Sequence, residues 1–67
     1  MAQFRATFQK QGANPFVEVN FTANPGSNLS TIAWKESTKE NNFMTEENES
    51  ASNNQSRWEI ITIDYLN

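Results

Sequence analysis

The sequence predicts an α+β fold: a β-hairpin, one helix, a long polar loop and a C-terminal strand, packed as a single small antiparallel sheet with the helix on one face. Three observations carry that prediction. Residues 4–8, 17–21 and 59–65 alternate apolar with polar side chains, the period of two that a half-buried strand requires. Ala-Asn-Pro occurs at 13–15 and again at 23–25, so break signals bracket the second alternating stretch. Leu29, Ile32 and Ala33 then recur at helical spacing.

The first two strands are joined through Gln11-Gly12-Ala13-Asn14, which is longer than a two-residue turn and predicts a bulge or a wider loop. After the second strand, Asn24 is a favoured N-cap and Pro25 suits the first helical position. The stretch 35–40 holds good helix formers, and Asn41-Asn42 offers a stop. Ile32 and Trp34 also alternate beside Thr31, so 29–36 as a strand is the competing reading. That version gives an all-β five-stranded meander or small barrel. Residues 44–57 are polar almost throughout and predict a loop, with 43–45 as the one place for a short edge strand.

Parity assigns the faces. The core side takes Phe4, Ala6, Phe8, Val17, Val19, Phe21, Ile61, Ile63 and Tyr65, covered by Leu29, Ile32 and Ala33 of the helix. The back takes Arg5, Thr7, Glu18, Asn20, Thr22, Trp58, Ile60 and Thr62. The first two strands therefore have polar backs, while the third places an indole and an isoleucine there.

At 67 residues there is one domain, close to the lower limit for a core that holds a fold by itself. Eight aromatic residues supply most of its bulk. Cysteine is absent, so neither a disulfide nor a thiolate metal site can reinforce it, and no cofactor is expected. Small domains without such cross-links gain stability by association, which makes a second copy or a larger protein partner the first functional expectation. No segment reads as a secretory leader or a membrane span, so the expected compartment is cytoplasmic.

The formal charge of −3 is uneven: +2 over residues 1–35 and −5 over residues 36–67. Such a balance disfavours direct binding to nucleic acid. Catalysis is also disfavoured, because histidine is absent and no nucleophile elbow or phosphate loop occurs. Glu59 and Asp64 lie on opposite faces of one regular strand and cannot act there as an acid–base pair. No small-molecule substrate is implied.

Partner binding is expected at Trp58 and Ile60 on the back of the sheet, because exposed tryptophan concentrates binding energy. Trp34, pointing outward from the helix, and Arg5, on the polar back, complete that set. Glu46, Glu47 and Glu49 form an acidic cluster without the spacing of a calcium loop. It suits either a solvated loop or a decoy that imitates nucleic-acid phosphates, a habit of small phage-encoded inhibitors. The expected function is a non-enzymatic protein–protein interaction module. The acidic decoy is the second expectation, and a minor structural component of a particle is the third.

Overall fold

The computed structural model describes residues 1–10, 16–50 and 57–67. The expected connection 11–14 lies outside them, as does the stretch 51–56 of the expected loop. In chain order the elements are β1 (Ala2–Lys10), β2 (Phe16–Ala23), α1 (Leu29–Glu40), α2 (Asn42–Ser50) and β3 (Trp58–Tyr65). The strands form one antiparallel sheet in the order β2-β1-β3, and both helices belong to one layer beside it. This is the predicted α+β arrangement with one helix more.

β1 is the central strand and supplies the middle of the core. Ala2, Phe4, Ala6 and Phe8 are buried, and each faces a buried or half-buried partner on β2, from Ala23 and Phe21 to Val19 and Val17. Phe4 stacks on Phe21 with ring centres 5.6 Å apart. The even-numbered residues of β1 thus specify its inward face, as period-two patterning requires.

The helix α1 begins four residues later than the Asn24-Pro25 cap predicts. The Asn24 carbonyl instead accepts the Ser27 N–H at 3.0 Å, closing a turn around Pro25 and Gly26. Proline and glycine at the two central positions suit a β-turn, whereas glycine inside a first helical turn is costly. Asn28 takes over the cap, its Oδ1 accepting from the Thr31 N–H at 3.3 Å and from the Ser30 hydroxyl at 2.9 Å. Residues 29–36 are therefore helical, and the all-β alternative falls.

Ala33 and Ser37, one turn apart, are completely buried, with Leu29 and Ile32 packed beside them. The Ser37 hydroxyl donates to the Trp34 carbonyl at 2.8 Å, so this polar group enters the core already satisfied. Small side chains at Ala6, Ala33 and Ser37 leave room for the helix to lie close to the sheet.

The second helix corrects the loop predicted over 44–57. Asn41 ends α1, its N–H reaching the Ser37 carbonyl at 2.6 Å, and its own carbonyl accepts from the Met44 N–H at 3.1 Å. One residue therefore closes one helix and opens the next. Residues 43–45 are helical rather than an edge strand, and Met44 is fully buried.

The largest departure from expectation is in β3. Its register to β1 pairs Ala6 with Ile63 and Thr7 with Thr62, but Phe8 with Ile60. Ile61 is the extra residue of a β-bulge, which shifts the parity of everything before it. Trp58 and Ile60 therefore share the core face with Ile63 and Tyr65, opposite to the back-face placement that simple alternation gives. Trp58 is 8% exposed, whereas Ile61, expected in the core, is 57% exposed.

Replacing Met44 by alanine should cost about 2–5 kcal/mol, a large share of what so small a domain has. The neighbouring Phe43, 41% exposed, should cost clearly less on the same change. Urea unfolding of both variants checks this, and equal losses would mean that α2 is not docked through Met44.

Candidate partner-binding edge

The geometry around Trp58 begins with the face that α2 turns to β3. Met44, Glu47 and Asn48 are three and four residues apart and so lie on one side of the helix. Met44 enters the core. Glu47 Oε1 accepts from the Trp58 indole Nε1–H at 3.1 Å and from Lys10 Nζ at 2.9 Å, bridging the ends of β1 and β3. A buried indole needs such an acceptor, since its N–H otherwise enters the core unpaired. Phe43, one turn before Glu47, meets the indole edge-on at 5.6 Å.

Asn48 completes the attachment through the backbone. Its Oδ1 accepts from the Trp58 N–H at 2.6 Å, and its Nδ2 donates to the Trp58 carbonyl at 3.2 Å. A side-chain carboxamide thereby makes the two bonds that a neighbouring strand residue would make. The Arg57 guanidinium adds a bond to the Asn48 carbonyl at 3.0 Å.

Those bonds also reveal which way β3 points its backbone. In an antiparallel ladder, residues alternate between exchanging bonds with the neighbour and turning both groups to the far side. Trp58 turns both groups to Asn48, away from β1. At the other end the Gln3 carbonyl accepts from the Leu66 N–H at 2.7 Å, and the Gln3 N–H donates to the Asn67 carbonyl at 2.9 Å. Both ends agree with one assignment across the bulge: Glu59 and Asp64 bond to β1, while Ile60, Ile63 and Tyr65 direct their backbone groups outward. Among the described residues no strand lies against that outer edge.

This edge is unguarded by lysine or proline, the residues that most often discourage strand addition. Ile61, Tyr65 (67% exposed) and Leu66 place apolar surface along it. The opposite edge of the sheet, β2, is different: beyond Phe16 its exposed side chains are Glu18, Asn20 and Thr22. At the Trp58 end, a groove of about 720 Å³ opens beside the β3 edge, with Trp34, Trp58 and Ile60 as its apolar lining and Asn48, Glu49 and Arg57 among its polar residues.

The sequence-expected residues are distributed unevenly around this edge. Trp58 and Ile60 belong to it, on the core side rather than the back. Trp34 is half-buried and meets Phe8 edge-on at 4.7 Å, so it is not the outward residue expected. The buried stripe of α1 runs through Ala33 and Ser37, and counting only apolar residues misses Ser37 and rotates the predicted stripe away from Trp34. Arg5 does lie on the polar back, where its Nε donates to Asn20 Oδ1 at 3.3 Å and approaches Glu18 at 4.0 Å. Of the acidic cluster, Glu46 accepts from Asn42 and Glu47 is held by Lys10 and Trp58, so the three carboxylates do not form one free surface. Hydrophobic patterning does not point to Asn48 and Phe43. Their spacing from Met44 and Glu47 was the single available signal.

No helix among the described residues is long and apolar enough to cross a membrane. No family model, curated protein or solved structure matches this chain.

The Glu47 carboxyl is held below its ordinary value of 4.5, first by the hydrogen bond from Lys10 and then by that from Trp58, with desolvation opposing and the charge of Lys10 adding to the lowering. A carboxyl with a depressed folded-state pKa contributes stability above its unfolded value and loses it as pH falls through the folded one. Wild type should therefore exceed Glu47→Gln in stability near neutrality, and the two should converge in acid below about 4.5. Thermal unfolding across that range is the check, and a gap that persists unchanged in acid would remove the charge of Glu47 from the explanation.

Proposed function

We propose that this protein is a non-catalytic protein-interaction module that binds an extended segment of another polypeptide along the outer edge of β3. One observation carries the reading: Ile60, Ile63 and Tyr65 offer outward backbone groups next to exposed apolar side chains, while the edge beside them is fixed by the Asn48–Trp58 bonds. In strand addition, main-chain bonds supply affinity and adjacent pockets supply specificity. The groove at Trp34, Trp58 and Ile60 is placed for the second of these roles.

A rigid edge also lowers the cost of binding. The side-chain entropy of Trp58 is already spent in the folded domain, as is that of Phe8 and Met44 behind it. What remains for the partner is to order its own segment.

Eight-residue peptides selected for binding from a randomised display library should shift the amide resonances of Ile60, Ile63 and Tyr65. Tyr65→Pro, which removes one outward N–H while leaving the bonds to β1, should weaken them at least about ten-fold. A chemically synthesised chain carrying an N-methyl group on Ile63 keeps every side chain and should do the same. Binders that map to the polar back, or that ignore both changes, would overturn the reading.

A further inference from the structure

Resting on that reading, we infer the chemistry of the segment: an extended strand from a different protein that alternates apolar with basic residues, its basic side chains meeting Asp64 and Glu59. The inference starts from the charges along the edge. Glu59 and Asp64 both bond by backbone to β1, so their side chains stand on the back of the sheet at its outermost strand. Both are exposed, and neither forms an ion pair among the described residues. The Asp64 carboxylate accepts from the Thr62 hydroxyl at 3.5 Å. Arg5, directly across from Asp64 on β1, turns the other way to Asn20 and Glu18. The back of the β3 edge therefore carries two exposed carboxylates without an ion-pair partner among the described residues.

The core side of the same edge is apolar. Residues whose backbone faces outward are Ile60, Ile63 and Tyr65, and a partner residue paired with any of them places its own side chain on that side. A docked strand consequently needs apolar residues opposite Ile63 and Tyr65, and cations between them. A single alternating pattern meets both demands.

Like charges argue against two of the three registers in which a second copy could pair. Three antiparallel self-pairings keep core-facing residues opposite core-facing residues, and two of them oppose like charges. Pairing Ile60 with Ile63 of the other copy sets Glu59 against Asp64 twice, and pairing Ile63 with Tyr65 sets Asp64 against Asp64. Like charges directly opposite are destabilising. A pairing centred on Ile63, with each bulge taken up as it is against β1, sets Tyr65 against Ile60 and Asp64 against Thr62 without that penalty, and sedimentation tests it. A basic strand meets attraction at Glu59 and Asp64 where the charged self-pairings meet repulsion.

Three eight-residue peptides separate the outcomes: alternating Lys-Val, alternating Glu-Val and alternating Thr-Val, each titrated against the labelled chain by NMR. The Lys-Val peptide should bind at least ten-fold more tightly than Thr-Val, the Glu-Val peptide should bind worst, and added salt should compress the difference. Asp64→Asn with Glu59→Gln should abolish the preference among the three peptides. Equal binding of all three peptides at Ile60, Ile63 and Tyr65 would overturn the basic-strand inference and leave strand docking standing. Shifts away from that edge, or a dimer in sedimentation that involves those same amides, would overturn both.

Discussion

One inserted residue, Ile61, decides how this domain is assembled. Without the bulge, β3 would present Ile61, Ile63 and Tyr65 inward and turn Trp58 to solvent. With it, Trp58 and Ile60 join Ile63 on the core face, and the largest side chain of the strand closes the end of the core near Lys10. Burying a side chain of that size is worth roughly 3 kcal/mol, which matters in a domain whose total stability is of the same order. The cost is a strand with an interrupted ladder and an exposed isoleucine. Both fall on the edge that we assign to binding.

Burial of Trp58 then creates a polar obligation, and α2 exists in its present position to meet it. The helix has little apolar surface of its own. Met44 anchors it, but Glu47 and Asn48 orient it by satisfying the indole N–H and the Trp58 backbone. A docked helix of nine residues with so few apolar contacts would not form alone. It is held because buried polar groups left unpaired are more expensive than the order that pairs them. The same bonds cap one end of the β3 edge, so core and candidate interface share their supports.

The fold class was legible because it rests on local patterns. Strands β1 and β2 follow strict alternation, and α1 shows its apolar residues at helical spacing. The bulge was not legible, since Glu-Ile-Ile-Thr-Ile fits a regular strand equally well, and only the demand to bury Trp58 breaks the tie. The second helix was missed for a related reason: its contact face is Met44, Glu47 and Asn48, which carries no hydrophobic periodicity. Asn24-Pro25 misled because Gly26 follows, turning a helix start into a turn. The candidate site inherits these facts. Trp58 and Ile60 lie on the face opposite to the one simple alternation gives, and the edge they adjoin is visible only once strand order is known.

Native-state amide hydrogen exchange along β3 bears on all of this at once. The bulged register predicts protection at Trp58, Glu59 and Asp64, with rapid exchange at Ile60, Ile63 and Tyr65. Protected sites on both even and odd positions, separated at Ile61, are the signature of the inserted residue. Protection that follows a single parity from Trp58 to Tyr65 would contradict the bulge, and slow exchange at Ile63 and Tyr65 in the isolated chain would contradict a free edge.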